Sequence, residues 1–273
     1  MTQATEEFIL FLAQYGWEQV VAVLVLASVR PLALFYGFIG FYWSMGQARL
    51  VRVCMAVAVG VPVAVANVPT LALVVTEYSM FDLARTAITE MVIGLAMGLI
   101  VSLPFFAMQY AGAITDQFRG ESDSGITNPS GGTISTMGML YTLLALLAFA
   151  HADGLILLFD FFFASYAVWP LTAALPELTN ASLEMVFELT THMMLFAARL
   201  AFPLLLTLAL IELGSIVGAR LYKRYSFYNF SFLLKNVATI MLLPILVMYA
   251  WTLSQDSFLQ VFLHFNVREF FGQ

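Results

Sequence analysis

The 273-residue chain has few charged side chains, and this scarcity limits the kind of protein it can be. Only 10% of its residues are Asp, Glu, Lys or Arg, against about a quarter in an average soluble domain. So few charges cannot cover a water-facing surface, so lipid or other protein must surround most of the chain. Hydrophobic residues make up 62% of the sequence, and the mean hydropathy is +0.91. The composition therefore predicts a membrane protein.

Other absences exclude several classes of function. The single cysteine, Cys54, leaves no partner for an intrachain disulfide. The net charge of -6 argues against nucleic acid as a partner, because a polyanion needs a basic face. His151, His192 and His264 stand apart from other ligands at metal-binding spacing, so we expect no metal site. The sequence also lacks a phosphate-binding loop, so we expect no nucleotide and no other cofactor. No nucleophile elbow with a helical histidine is present, which leaves an intramembrane hydrolase only as a third, weaker alternative.

Five hydrophobic segments are long enough to cross a bilayer, which takes about 20 apolar residues. A sixth region, Met137–Trp169, is long enough for two helices, but His151–Gly154 interrupts it. Each half then has only about 15 residues, which is short for a span. The five spans are predicted at Val20–Trp43, Val53–Val75, Ile88–Ala111, Met193–Ala219 and Thr239–Leu263.

The distribution of Lys and Arg predicts the orientation of these segments. Ser44–Arg52 and Arg220–Lys235 are distinctly basic, and basic loops tend to lie in the cytoplasm. The acidic stretches Thr76–Thr89 and Pro176–Glu188 then lie outside. Two full crossings by Met137–Trp169 would put Arg220–Lys235 on the wrong side, whereas one net passage or a non-spanning hairpin would not. We therefore expect segments that are held partly by protein, where broken helices are tolerated.

Charges and prolines within the apolar runs also favour packing against protein. A charge at the bilayer centre costs about 2.5–3.5 kcal/mol, so each should have a partner or line a wet surface. Proline frees a backbone carbonyl and kinks a helix. The charges are Arg30, Glu90, Asp160, Arg199 and Glu212, and the prolines are Pro31, Pro62, Pro69, Pro104, Pro203 and Pro244.

Two segments combine an acid with a Gly-x-x-x-Gly pattern, namely Glu90–Gly98 and Glu212–Gly218. Four-residue spacing places both glycines on one helix face, so that another backbone can approach closely. We predict tight packing at both segments, with a chance occurrence of common glycines as the alternative. The acid is interpreted either as one partner of an interhelical hydrogen bond or ion pair, or as an acid near a helix end.

The longest polar run, Asp116–Thr136, reads DQFRGESDSGITNPSGGTIST. Asn128-Pro129 is a turn signal, and glycine allows positive φ and close approach. Loops of this length inside a compact protein are usually functional or disordered. Composition alone favours a flexible cytoplasmic connector, with a functional segment as the alternative. The glycines of the run are Gly120, Gly125, Gly131 and Gly132.

Several motifs of the chain belong together as one pattern. They are Glu90-Met-Val-Ile-Gly94-Leu-Ala-Met-Gly98, Ser102-Leu-Pro104-Phe-Phe, Ala111-Gly112-Ala-Ile-Thr-Asp116-Gln-Phe-Arg119-Gly120 and Asn128-Pro129, followed by Pro203, Glu212, Gly218, Arg220 and Lys235. This pattern resembles one known family, the T subunit of type III secretion export apparatuses (SctT, also called SpaR or YscT), whose flagellar counterpart is FliR. The chain departs from the family at Gln117-Phe118, where Asn-Gln is usual, and it lacks the Pro-Gln-Leu-Asn that commonly follows the family arginine.

The resemblance implies a non-enzymatic core component of an inner-membrane export gate. It implies an all-α membrane protein of about six to eight kinked helices and helical hairpins, packed within a helical multi-subunit assembly rather than a serpentine bundle. R and S subunits would complete the complex, with U and V subunits beside it and membrane lipid around it. Secreted polypeptides would pass through unfolded. The multi-pass chain would lie in the bacterial inner membrane, with part of the assembly on the periplasmic side.

Specific residues follow from the same resemblance. Residues 112–136 would form a flexible plug loop in a single domain covering 1–273, and 220–235 would be a basic cytoplasmic stretch. A proton-coupled secondary transporter, with Glu90, Asp160 and Glu212 as its relay, is the alternative function. The predicted plug residues are Asp116, Arg119, Gly120, Gly125, Asn128, Pro129, Gly131 and Gly132. The predicted packing residues are Glu90, Gly94, Gly98, Pro104, Gly112, Pro203, Glu212, Gly214 and Gly218, and the predicted cytoplasmic basic contacts are Arg220, Lys223, Arg224 and Lys235.

Overall fold

The described part of the chain contains seven α-helices, a short helical stretch at 39–41 and a β-hairpin with two residues in each strand, so the predicted all-α membrane fold is confirmed. The computed structural model describes residues 17–41, 49–67, 79–121, 126–127, 133–171, 180–221 and 227–264. The helices are α1 (Trp17–Gly37), α2 (Arg49–Ala66), α3 (Met80–Arg119), α4 (Thr136–His151), α5 (Gly154–Val168), α6 (Asn180–Leu221) and α7 (Phe227–His264), and the strands are β1 (Ile126–Thr127) and β2 (Thr133–Ile134).

The described residues form two compact units. The first unit takes in the described residues up to Ser102 together with Leu158–Leu183, and the second takes in Leu103–Leu157 and the described residues from Glu184 onward.

In the first unit α1 packs against α2. The Val-Ala alternation of α2 is typical of a strand, but only a helix satisfies all backbone groups within one segment in an apolar environment. Its buried residues Arg52, Ala56, Gly60, Val63 and Ala64 follow helical spacing along one face. A Cβ at Gly60 would lie 2.6 Å from the hydroxyl oxygen of Ser28, so glycine here lets α1 come close.

In the second unit α4 packs against α7, and α6 shares a small leucine cluster with α7. Leu204 and Leu208 of α6 are fully buried against Leu246 of α7. The rings of Phe105 and Phe149 meet edge to face with centroids 5.5 Å apart, which joins the second half of α3 to α4.

Four of the described helices are long and apolar enough to cross a membrane, namely α2, α3, α6 and α7. The span predicted at Val20–Trp43 is interrupted within its described part: α1 ends at Gly37, Phe38 is not helical, and 39–41 are helical again, while 42–43 lie outside the described residues. Helix α1 ends at Gly37 because a side chain of α3 binds the backbone groups at its C-terminus. The Ser102 hydroxyl accepts the N–H of Ile39 at 2.9 Å and lies 3.0 Å from the Gly37 carbonyl oxygen.

The predicted break within Met137–Trp169 is confirmed. Helix α4 ends at His151, and α5 begins at Gly154. Between them Asp153 has a φ of 52°, and its carbonyl accepts the N–H groups of Ile156 and Leu157. The two short helices could therefore form one broken span, which would raise the number of spans from four to five.

Two boundaries were predicted wrongly at α3, namely the ends of the third span and the start of the plug loop. The span predicted at Ile88–Ala111 is part of a 40-residue helix. At 1.5 Å per residue this helix is about 60 Å long, roughly twice the thickness of a bilayer core. The plug loop predicted at 112–136 therefore begins too early, since 112–119 are helical. No proline interrupts this stretch, and the first positive φ occurs at Gly120.

The other long helices begin or end beyond their predicted spans in the same way. Helix α6 has 42 residues and α7 has 38, and each continues through an internal proline, Pro203 and Pro244 respectively. Much of the stretch predicted as a basic loop at 220–235 is consequently helical, and 222–226 lie outside the described residues. Pro31, Pro62 and Pro104 also lie inside helices, whereas Pro69 falls outside the described residues.

Candidate functional site at the base of the polar loop

The end of α3 explains the glycine in the run DQFRG. The Gly120 N–H donates to the Gln117 carbonyl at 3.1 Å, and the Glu121 N–H donates to the Asp116 carbonyl at 3.0 Å. This pair of bonds is the Schellman arrangement, which closes a helix when the following residue takes a left-handed conformation. Gly120 has a φ of +89°, which glycine adopts without strain.

Asp116 connects the end of α3 to the beginning of α4. One carboxylate oxygen accepts the backbone N–H of Met137 at 2.7 Å. That amide lies in the first turn of α4, where N–H groups have no partner within the helix and a negative charge is favoured. The other oxygen pairs with Arg119 at 3.0 Å. Asp116 is only 1% exposed, so both interactions are shielded from water.

Two further contacts fix the same junction. A Cβ at Gly112 would fall on the backbone of Met137 and Gly138, so only glycine allows α3 and α4 to approach this closely. Ser135 caps α4, because its hydroxyl accepts the Gly138 N–H at 3.1 Å. The junction of Gly112, Asp116, Ser135, Met137 and Gly138 is called the loop base below.

Two described pieces of the polar loop form a short β-hairpin. Strands β1 and β2 pair antiparallel, with Ile126 opposite Ile134 and Thr127 opposite Thr133. This pairing was not predicted from the sequence, where the run was expected to lack regular structure. Five predicted plug residues lie outside the described residues, namely Gly125, Asn128, Pro129, Gly131 and Gly132.

Polar side chains of α6 and α7, in the same unit, lie beside the end of α3. Lys235 of α7 donates to the Phe118 carbonyl oxygen at 3.2 Å and forms an ion pair with Glu212 of α6. Ser231 donates to the same carboxylate at 3.5 Å. Beside these groups lies a cavity of about 250 Å³, whose lining includes Arg119, Gly120, Ser215 and Lys235.

The first unit contains a second polar cluster, centred on Arg30. Its guanidinium binds both oxygens of Glu90, at 2.6 and 3.0 Å, and both side chains are shielded from water. Arg30 also donates to the Ser165 hydroxyl and to the Trp169 carbonyl, each at 3.0 Å. Its charge lies 3.9 Å from the centre of the Tyr166 ring. Glu90 therefore has the interhelical ion pair that was one of its two interpretations.

The glycines after Glu90 pack against α1. A Cβ at Gly94 would collide with the Arg30 carbonyl and the Ala33 side chain, and one at Gly98 would lie 2.6 Å from the Leu34 carbonyl oxygen. Gly37 of α1 faces Gly98, so the two backbones are in close contact. This segment contacts α1 of its own chain.

The corresponding segment of α6 is open. A Cβ at Gly214 would meet no described atom within 4 Å, and Glu212 is half exposed. Pro203 and Arg220 are exposed and Gly218 is half-buried, while Lys223 and Arg224 lie outside the described residues. Pro104 is buried within α3.

The remaining charges have mixed surroundings. Asp160 and Arg199 are exposed on their helices, where lipid, water or another chain can reach them. In the described part of the chain no group of three His, Cys, Asp or Glu side chains could hold a metal ion.

Sequence reasoning missed the residues that complete these clusters. The sequence indicated that Arg30 needs a partner. That its partners are Glu90 and Ser165 depends on how α1, α3 and α5 pack together. The sequence also did not reveal that Ser102 contacts the end of α1 or that Ser135 caps the beginning of α4. Ser135 had a usable signal, because it directly precedes an apolar helix of 16 residues and serine is a favoured N-cap.

Comparison with known proteins gives a family match over most of the chain. A family model described as bacterial export proteins, family 1, matches residues 21–261. Yop proteins translocation protein T of Yersinia pestis is 28% identical over 199 residues, which cover 72% of this chain and 74% of that protein. Surface presentation of antigens protein SpaR is 23% identical over 155 residues in Shigella flexneri and 25% identical over 158 residues in Shigella sonnei, covering 56% of this chain and 59% of each relative.

Proposed function

Because the chain belongs to the bacterial export proteins, family 1, we propose that it is a core subunit of the inner-membrane export gate of a type III secretion system. The resemblance to the SctT, SpaR and YscT family is confirmed by the similarity to translocation protein T and to SpaR. The gate would pass unfolded secreted polypeptides, and the chain would act by its shape and packing rather than by catalysis.

The loop base is the observation that carries this proposal. A polar loop that closes a channel needs ends that stay in place while its middle fills the passage. Asp116 and Gly112 hold the end of α3 against the start of α4, and Gly120 turns the chain out of α3. We infer that the residues between Gly120 and Ser135 are the plug of the closed gate.

Partners and membrane position form the second part of the proposal. Large apolar side chains are exposed along one face of α6 and one face of α7, and lipid or protein must cover faces of this kind. R and S subunits would pack there, with U and V subunits nearby, and the excess length of α3, α6 and α7 supports a complex that extends to the periplasmic side. The exposed side chains include Phe202, Leu206 and Leu210 on α6 and Ile240, Met241 and Ile245 on α7.

Shortening the loop tests the plug. We would replace 122–132 by two glycines, co-express the variant with the neighbouring subunits, and measure both co-purification and leakage of small ions across the inner membrane. The expected result is an assembled complex that leaks. The control keeps the length of 122–132 but replaces its residues by Gly and Ser, which retains a chain that can fill the passage. An assembled, shortened variant as tight as wild type would refute the plug.

The surroundings of the acids favour an export subunit over a proton-coupled transporter. The first relay residue, Glu90, is bound by Arg30 in a buried bidentate ion pair between two helices, which is the arrangement of a packing contact. Asp160 is exposed on α5. The family match belongs to export proteins, which favours the export apparatus over a proton-coupled carrier.

A further inference from the structure

Helix α5 carries a carboxylate in the middle of an otherwise apolar surface. Asp160 is exposed, and the side chains three, four and seven residues further on lie on the same helix face and are exposed as well. These three are Phe163, Ala164 and Ala167. At 1.5 Å per residue, Asp160 lies about 9 Å from the first residue of α5 and about 12 Å from the last. The charge is therefore remote from both ends of the helix.

The opposite side of α5 fixes the direction in which Asp160 points. Phe162 and Ser165 are fully buried on that side. Arg30 of α1 donates to the Ser165 hydroxyl and to the Trp169 carbonyl just after the helix, each at 3.0 Å. A rotation of α5 that buried Asp160 would expose Phe162 and break the bond to Ser165. Asp160 is consequently held on the outer side of the helix.

Asp160 has no basic partner among the residues that the structure describes. A carboxylate within an apolar segment of a membrane protein is costly unless a counter-charge or water reaches it. The acids that do form ion pairs in this part of the chain are Glu90, Asp116, Glu121, Glu188 and Glu212. The counter-charge of Asp160 must therefore come from elsewhere.

Neither lipid nor open water matches the chemistry of this surface. Long Lys and Arg side chains reach the membrane interface from within an apolar helix, but the single methylene of aspartate does not bridge about 9 Å. A water-facing surface would carry more than one polar side chain, whereas here Phe163 is 43% exposed beside two alanines. A protein partner that brings both an apolar face and a cation matches both properties.

We propose that the Asp160 face, defined as Asp160, Phe163, Ala164 and Ala167, docks an apolar helix of a neighbouring export-gate subunit through a Lys or Arg of that helix. The partner cation forms an ion pair with Asp160. The two alanines let the partner backbone approach closely, and Phe163 packs against its apolar side chains. This inference rests on the proposed function, because it requires a multi-subunit complex, and it adds the residue and the charge that one contact uses.

Co-expression with the neighbouring subunits, followed by purification of the complex, tests the docking. Asp160→Leu keeps the surface apolar but leaves the partner cation unpaired, so we expect the yield of co-purified partner to fall about tenfold or more. Asp160→Glu retains the charge and should keep most of the complex. Glu188→Gln is the matched control, because it removes an exposed carboxylate from α6, and it should leave the yield unchanged.

Thermal unfolding of the isolated chain in detergent separates docking from folding. Asp160 is exposed and unpaired within the described chain, so Asp160→Leu should melt like wild type. A lost complex with unchanged melting supports the docking. A complex that stays intact in Asp160→Leu overturns it, because lipid or water would then be sufficient around this position.

Charge reversal identifies the partner residue. Asp160→Lys should remove the complex, and changing the matching Lys or Arg of the neighbouring subunit to Asp should restore it. The basic residues in the apolar segments of the neighbouring subunits would be changed one at a time in the Asp160→Lys background. If none of them restores the complex, the ion pair is overturned.

A cross-link decides the case in which Asp160→Leu also lowers the melting temperature. A photoreactive phenylalanine analogue replaces Phe163 in the co-expressed complex, with Asp160 unchanged. A cross-link to an apolar segment of a neighbouring subunit that contains Lys or Arg supports the docking. Cross-links confined to lipid or to the chain itself overturn it.

The wild-type chain separates this inference from the proposed function. If it does not co-purify with the co-expressed neighbouring subunits, the proposed function fails and the docking fails with it. If wild type and Asp160→Leu co-purify with equal yield, the docking alone is wrong.

Discussion

Two segments of this chain carry the same combination of an acid and a Gly-x-x-x-Gly pattern, yet their surroundings are opposite. In Glu90–Gly98 the acid is buried against Arg30, and the glycines touch the backbone of α1. In Glu212–Gly218 the acid is half exposed, and a Cβ at Gly214 would meet no described atom within 4 Å. The pattern thus creates a surface that allows close approach, but it does not say which helix approaches.

The energies of the two ion pairs differ as much as their surroundings. Removing one partner of a fully buried pair typically costs about 3–5 kcal/mol, because the other charge is left without solvent. An exposed pair contributes only about 0–1 kcal/mol. Breaking the buried pair of the first segment is therefore expected to destabilise the chain more than breaking the partly exposed pair of Glu212 and Lys235.

The largest expected effect is at Arg30. Arg30→Met leaves Glu90 buried without a counter-ion, so we expect the free energy of unfolding to fall by about 3–5 kcal/mol. Thermal unfolding of the detergent-purified chain would measure the loss. The double variant Arg30→Met with Glu90→Leu replaces both charges by apolar groups and should recover much of the stability. A single variant that melts like wild type would contradict the structural role of the pair.

A matched pair of glycine substitutions compares the two patterns directly. Gly94→Ala forces a methyl group onto the Arg30 carbonyl and should cost about 1–3 kcal/mol by overpacking. Gly214→Ala meets open space and should leave the melting temperature of the isolated chain unchanged or slightly raised, since alanine favours helix. Equal losses at both positions would show that the second segment is also closed within the chain.

Asp116 shows whether the second unit contains any contact as firm as that of Arg30. Asp116→Ala removes the acceptor of the Met137 amide and one of the two acidic partners of Arg119, which keeps Glu121, for an expected loss of about 1.5–3 kcal/mol. Asp116→Asn keeps an acceptor oxygen and should lose less. Urea unfolding of the two variants, side by side with wild type, gives the comparison. If the asparagine variant is the less stable of the two, the amide contact is not the main contribution.

The sequence predicted the helices better than their ends. Hydropathy identified an apolar segment in each described helix, but it placed the ends of the third span at Ile88 and Ala111, because residues such as Asp82 and Asp116 are polar. A helix that extends beyond the bilayer continues through polar residues, so a prediction from hydropathy alone places its ends too close together. The break before Gly154 was predictable, since Asp-Gly after a histidine interrupts an apolar run.

The candidate site was predictable in its residue types but not in its pairing. The DQFRG run and its resemblance to a family singled out Asp116, Arg119 and Gly120. Asp116 accepts a hydrogen bond from the backbone N–H of Met137, 21 residues further along the chain. This bond forms because Gly112 lets α3 and α4 approach closely, which only the folded structure shows. The pairing of Arg30 with Glu90 also depends on tertiary structure. Several acids lie in apolar segments, and their spacing in the sequence does not show which of them contacts Arg30.

The contact between Ser102 and the end of α1 has a consequence for how helix length is determined. The Ser102 hydroxyl accepts the Ile39 N–H and lies within hydrogen-bond distance of the Gly37 carbonyl, so a side chain of α3 terminates α1. The register of α3 against α1 therefore also determines the residue at which α1 ends. A one-turn slip of α3 along α1 would move the stop by about 5.4 Å and separate Gly37 from Gly98 at the same time.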